Sequence, residues 1–156
     1  MAVCHDFCGC YEWSMRLQLA LNVDNLEEAI DFYTKMFNTE PLKVKPGYAN
    51  WSIVDPPLKL VIFEKGGEHG TINHLGVETD TAEEVVEADK RLRAAGLVTT
   101  GIDDTQCCFA EKTETWVDGV DGHKWEFYVK HSDVEQFANL SLGRQQESGG
   151  NVCCPS

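Results

Sequence analysis

Gln18, His74 and Glu126 offer between them an amide oxygen, a ring nitrogen and a carboxylate. These are donor types that hold a divalent first-row metal. In the run Leu17 to Val23, strand alternation puts Gln18, Ala20 and Asn22 on one face and Leu17, Leu19, Leu21 and Val23 on the other. His74, Gly76 and Glu78 likewise share a face opposite Leu75 and Val77, and Glu126 and Tyr128 lie opposite Trp125, Phe127 and Val129. A glutamate inside so aromatic a strand is costly to bury without a positive partner, and a metal ion is one such partner. The three form a facial set like two histidines and a carboxylate with one histidine replaced. Such a set suits Fe(II), Mn(II), Co(II) or Ni(II) and leaves coordination positions open. The residues alone also allow a plainer reading, in which His74 and Glu126 are hydrogen-bonded wall residues or exposed ones.

Cys107 and Cys108 are adjacent. Neighbouring cysteines seldom bond to each other because the ring is strained. Side by side they either capture one soft ion or metalloid centre or serve as two small buried apolar groups. Cys153 and Cys154 form a second pair, and Cys4, Cys8 and Cys10 cluster near His5; both groups have ligands suited to Zn(II), Cd(II) or As(III). His69, His123 and His131 read as turn or post-strand residues. Glu111, Lys112 and Glu114 read as a charged loop, either solvated or a lid, and Tyr48, Asn50 and Trp51 either line a cavity or pack.

These residues must be positioned by something, and the chain repeats itself. At an offset of 56 residues Leu19, Asp24, Glu27 and Glu28 meet Leu75, Asp80, Glu83 and Glu84, and Gln18 meets His74. Each copy reads as a strand, a capped turn (Asp24 or Asn25, then Asp80 or Thr81) and a helix with acids in its first turn. Leu26, Ile30, Tyr33 and Phe37 mark the first helix; Val85 to Ala95 make the second, which stops at Gly96. About three strands follow each helix: 42–44, 48–54 and 58–63 in the first half, then 98–101, 107–110, 115–117 and 124–129 in the second. Val134, Phe137 and Leu140 suggest a last amphipathic helix before a polar, glycine-rich tail. The expected organisation is an N-terminal extension (1–14), a first βαβββ module (15–68), a second (69–131), and a C-terminal helix and cysteine-containing tail (132–156).

The net charge of −13, from 13 basic and 26 acidic residues among 156, argues against nucleic acid as a partner. No run of 18 apolar residues spans a membrane, and residues 1–14 do not read as a signal peptide. With seven cysteines, none of them between Tyr11 and Gln106, free thiols in a reducing cytoplasmic setting are expected.

The stretches Leu17-Gln-Leu-Ala-Leu-Asn-Val, Pro46-Gly-Tyr-Ala-Asn, Pro56-Pro-Leu-Lys-Leu-Val, Asn73-His-Leu-Gly-Val-Glu, Cys107-Cys-Phe-Ala and Trp125-Glu-Phe-Tyr-Val resemble the vicinal-oxygen-chelate superfamily, which includes glyoxalases, bleomycin-resistance proteins and dioxygenases. More narrowly they are similar to its ArsI/CadI group. The resemblance runs from Met15 to about Lys130 and implies an α+β fold of paired βαβββ modules. It places the family's metal ligands, which are its catalytic residues, on Gln18, His74 and Glu126, and its arsenic-binding pair on Cys107 and Cys108. It further implies an Fe(2+) cofactor, dioxygen and a trivalent organoarsenical such as methylarsenite as partners, and carbon–arsenic cleavage that releases arsenite. A homodimer is left open. The family-like sequence starts at Met15, so residues 1–14 stand outside it, either as a natural addition or as an early start.

Three other functions compete. A sequestering protein would use the cysteines without turnover. A glyoxalase-like isomerase would want a further carboxylate on the first module's last strand, where only Glu64 is available. An extradiol ring-cleaving dioxygenase would leave the cysteine pair without a purpose.

Overall fold

The computed structural model describes residues 15–142. The expected soft-metal ligands Cys4, His5, Cys8, Cys10, Cys153 and Cys154 lie outside the described residues. The elements run β1 (Met15–Val23), α1 (Leu26–Phe37), β2 (Lys43–Lys45), β3 (Tyr48–Ile53), β4 (Leu58–Glu64), β5 (Ile72–Thr79), α2 (Ala82–Ala94), β6 (Asp103–Cys107), β7 (Ala110–Asp118), β8 (Lys124–Asp133) and β9 (Leu140–Ser141). Among the described residues no helix is long and apolar enough to cross a membrane.

Cap chemistry starts both helices. Asn25 Oδ1 accepts from the Glu28 amide at 3.1 Å, and Thr81 with Glu84 closes a reciprocal capping box. Asn38 ends α1 in the left-handed region at φ 46°, and Gly96 takes φ 83° just past α2. The apolar stripe of α1, Leu26, Ile30, Tyr33 and Phe37, packs on Trp51, Ile53, Leu60 and Ile62. Those four are the outward residues of β3 and β4, so alternation turns Tyr48, Asn50, Val61 and Phe63 inward.

The strands form one sheet in the order β2-β3-β4-β1-β5-β8-β7-β6-β9. β1 is parallel to β4, β5 is parallel to β8, and β1 and β5 meet antiparallel at the centre. Leu19 pairs with Leu75, Gln18 with Gly76 and Ala20 with His74. Because each partner is also the other copy's counterpart at the 56-residue offset, a pseudo-twofold axis runs between Leu19 and Leu75. The architecture is thus α+β, a curled sheet built from two βαβββ modules.

The second half departs from expectation in four places. Residues 98–101 make no strand, only an isolated bridge between Thr99 and Val117. Cys107 ends β6 and pairs with Ala110, so Cys108 and Phe109 form a two-residue hairpin turn. Both have positive φ, 54° and 61°, as a type I′ turn requires. Without glycine or asparagine there, each costs roughly 1–2 kcal/mol.

Glu111, Lys112 and Glu114 are not in a loop: they lie within β7, where Lys112 and Glu114 are buried. The expected helix through Val134, Phe137 and Leu140 is absent. That segment is an extended strap whose carbonyls serve the cysteine turn: the Cys108 amide donates to Phe137 O and the Phe109 amide to Gln136 O, each at 2.9 Å. β9 then pairs with β6.

Candidate metal and thiol site

Gln18, His74 and Glu126 meet on the inner face, each at most 5% exposed. Gly76 of β5 lies between Gln18 of β1 and Glu126 of β8 and pairs in register with both. A Cβ at position 76 would stand 3.2 Å from the Glu126 carbonyl oxygen and 3.3 Å from Gln18 Cβ. The missing side chain lets the flanking residues reach each other across that strand.

Gln18 Nε2 lies 3.0 Å from His74 Nε2 and 3.1 Å from Glu126 Oε2, and the latter two atoms are 3.5 Å apart. His74 Nδ1–H donates to Asn73 Oδ1 at 2.7 Å, so the Nε2 lone pair points inward. Asn73 is itself held: its Nδ2 donates to Asn22 Oδ1 at 2.9 Å, and Asn22 Nδ2 donates to Thr71 Oγ1 at 3.0 Å. Two acceptors, His74 Nε2 and Glu126 Oε2, therefore converge on the Gln18 amide, whose Oε1 accepts from Tyr128 at 2.5 Å.

A half-turn of that amide exchanges its oxygen and nitrogen. The oxygen then joins the two acceptors, while Nε2–H donates to the Tyr128 oxygen. Neighbouring donors about 2.1 Å from an octahedral ion lie about 3.0 Å apart, close to the spacings seen. The three residues fit a divalent metal. Among the described residues no three of His, Cys, Asp and Glu converge, so a metal here depends on Gln18 as the third donor.

Lys112 balances the charge. Its ammonium bonds Glu126 Oε1, leaving Oε2 to face His74 and Gln18, and it also lies 3.0 Å from Glu114 Oε2. Burial raises the Glu126 pKa, but the Lys112 ammonium outweighs it and holds the carboxyl well below the usual range. Glu114 goes the other way: burial raises it, Lys112 opposes, and Glu126 adds to the rise. Burial also pushes Tyr128 well above the ordinary phenol value, with Glu78 and Glu126 acting in the same direction.

The cavity over this cluster measures about 30 Å³, room for two or so waters. Cys107 and Cys108 line it together with the three converging residues. Cys107 is buried, and its Sγ lies 3.0 Å from Cys108 Sγ. Tyr48 and Asn50 are on the wall as expected, whereas Trp51 points outward to Tyr33 of α1. Burial pushes the Tyr48 phenol up to about 12, against the lowering effect of its bond from Asn50. His69, His123 and His131 are exposed and absent from the cavity wall.

Glu126 and Val61 are counterparts. Gly76 pairs with Glu126 as Ala20 pairs with Val61, and Gly76 and Ala20 are equivalent across the pseudo-twofold axis. The first module therefore offers an apolar side chain where an isomerase would want a second carboxylate. Glu64 instead accepts from the Leu26 amide at 3.0 Å, at the start of α1.

Sequence reading placed Lys112 and Glu114 in a loop, solvated or a lid, and missed Tyr128 and Asn73 as parts of the site. A signal existed for the latter two: Tyr128 shares the strand parity of Glu126, and Asn73 adjoins His74.

The family model for the glyoxalase/bleomycin resistance protein/dioxygenase superfamily matches residues 16–127. The chain is 49% identical over 140 residues to the "Cadmium-induced protein CadI" of Mycobacterium tuberculosis strain H37Rv, covering 89% of this chain and 92% of that one. It is 48% identical over 140 residues to the "Trivalent organoarsenical cleaving enzyme" of Thermomonospora curvata, covering 89% and 87%. Among solved structures, the 2,3-dioxygenase LapB from Pseudomonas sp. KL28 superposes with a TM-score of 0.58 at 23% identity, over 76% of this chain and 42% of that one, a likeness of fold.

Proposed function

The chain belongs to the glyoxalase/bleomycin resistance protein/dioxygenase superfamily, and from that premise we propose that it is a non-heme Fe(II)-dependent dioxygenase cleaving the carbon–arsenic bond of trivalent organoarsenicals. One observation carries the proposal: a set of N/O donors and a pair of adjacent sulfurs line the same small cavity. The relative from Thermomonospora curvata, named for organoarsenical cleavage, supports it.

Gln18, His74 and Glu126 would hold the iron, which supplies the redox chemistry with dioxygen that no side chain here possesses. The remaining work falls to the chain. In their reduced form, Cys107 and Cys108 take a substrate R–As(OH)2 by forming two As–S bonds and releasing two waters, which fixes the arsenic and its carbon substituent in the cavity. Asn73 keeps the His74 proton on Nδ1, away from the cavity. Lys112 keeps Glu126 ionised and occupies the oxygen that faces away from His74. Phe63 and Trp116, packed on the His74 ring at centroid distances of 6.2 and 5.3 Å, exclude water. Methylarsenite plus dioxygen balances to arsenite plus formaldehyde.

Anaerobic loading with Fe(II), then addition of methylarsenite and oxygen, tests the reading by arsenic speciation. Arsenite released over several turnovers is expected. Stoichiometric arsenic binding with no arsenite release would sink it and favour the second reading, a non-catalytic protein sequestering cadmium or arsenic. That second reading draws on the adjacent sulfurs and on the equally similar relative named as cadmium-induced.

A further inference from the structure

The chain is strongly acidic, yet its cavity is lined by cations. Four of the nine lysines in the sequence, Lys43, Lys59, Lys112 and Lys130, stand on the cavity wall. Glu126 is the one carboxylate among the described lining residues. The other counter-ions sit behind the wall: Glu114 lies 3.0 Å from Lys112, which thus has two carboxylates, and the remaining two are each shared by two cations. Glu78 serves both Arg16 and Lys59, the latter at 3.5 Å, and Asp133 serves both Lys43 and Lys130, the latter at 2.9 Å. Burial lowers the Lys59 pKa; Glu78 opposes that, while Arg16 and Lys130 add to it, so these like charges feel one another. A divalent metal on the three converging donors would add further positive charge.

Such an excess inside a protein of formal charge −13 is a local field of opposite sign to the whole. A neutral guest would gain nothing from it. We infer that the arsenical arrives carrying a carboxylate or comparable anionic group, which Lys59 and Lys130 receive while the thiols take the arsenic. The inference rests on the proposed organoarsenical reading and adds to it a preference for an anionic group, on the arsenical or on its carrier. The anion has two possible sources: the organic substituent on arsenic, which stays after capture, or a small acidic thiol carrying the arsenic, which leaves on exchange as two As–S bonds to the carrier are replaced by two to the protein.

The two sources separate experimentally. Reduced full-length protein is titrated with phenylarsenite and with 4-carboxyphenylarsenite, with binding followed by quenching of tryptophan fluorescence. A substituent anion predicts an affinity for the carboxylate compound higher by on the order of 10-fold at low salt, shrinking as salt is raised. A carrier anion predicts equal affinities, with phenylarsenite captured on the order of 10-fold faster from its glutathione conjugate than from its mercaptoethanol conjugate. In Lys59→Met and in Lys130→Met whichever ratio is seen should fall toward one. Arg16 still partners Glu78 in the first variant and Lys43 still partners Asp133 in the second, and the salt titration of the unaltered protein needs no variant. Equal affinities together with equal capture rates overturn the inference while leaving the thiol site standing, as do ratios unchanged by salt and by both substitutions. Failure to bind either arsenical overturns the organoarsenical reading itself, and this inference with it.

Discussion

Tyr128 donates its phenolic proton to Gln18 Oε1 at 2.5 Å, so the amide presents its nitrogen, not its oxygen, to His74 and Glu126. The amide nitrogen satisfies the two inward acceptors, and the proposed metal loading would require the amide to turn. Gln18→Leu removes donor and acceptor alike and should weaken Fe(II) or Mn(II) binding by at least about 10-fold. Gln18→His offers a ring nitrogen that needs no turn and should retain affinity. Anaerobic calorimetry on both variants decides; equal loss in the two would contradict a ligand role for position 18.

Asn73 fixes the His74 tautomer from outside the cavity. Asn73→Ala should cost about 10–100-fold in metal affinity, the usual range for a partner that orients a metal-binding histidine. The far-ultraviolet circular dichroism should be unchanged, because the backbone pairing of β5 does not involve that side chain.

Lys112 is the buried cation between two buried glutamates. Lys112→Met strands Glu114 and Glu126 together and should lower the stability of the metal-free protein by about 3 kcal/mol. A divalent cation should restore part of that loss, so the rise in Tm on adding Mn(II) should be larger in the variant than in the parent. A smaller rise would mean that Lys112 and the metal do not compensate the same carboxylate.

The two donor sets should separate by mutation. Cys107→Ser should weaken organoarsenical capture and leave Fe(II) affinity intact, whereas Glu126→Ala should do the reverse. Parallel loss of both affinities in either protein contradicts that division of roles.

Asp133 joins the two modules by accepting from Lys43 and Lys130, bonds that pull its pKa from 3.8 down to about 2. A depressed carboxylate stabilises the fold fully above its unfolded value, and the contribution disappears as pH falls through the folded one. The Tm difference between the parent and Asp133→Asn should hold from pH 7 to about pH 5, shrink below about pH 4 and vanish only below about pH 2. Its size should stay below about 1 kcal/mol, since the side chain is 58% exposed and solvent screens it.

What the sequence made legible follows from local chemistry. Asn25, Thr81 and Gly96 mark helix ends in any context, and the repeat at 56 residues pairs Gln18 with His74. Glu126 was visible because it interrupts an aromatic run. Lys112 and Glu114 were hidden because β7 reads Ala-Glu-Lys-Thr-Glu-Thr, a polar string whose charges face a buried site rather than water. The strap was misread for a related reason. Val134, Phe137 and Leu140 recur at near-helical intervals, but Phe137 packs on Phe63 and Phe109 at centroid distances of 6.2 and 5.4 Å. The carbonyls of Gln136 and Phe137 go to a distant turn, a non-local choice that periodicity does not register.

That strap sets the limits of the portable unit. The family match ends at residue 127, and the backbone that holds Cys108 and Phe109 in their left-handed turn comes from residues beyond it. Grafting residues 16–127 into another scaffold would transplant the three converging residues, Gln18, His74 and Glu126, with their geometry. It would carry the two sulfurs only as sequence, their spacing left behind with Gln136 and Phe137.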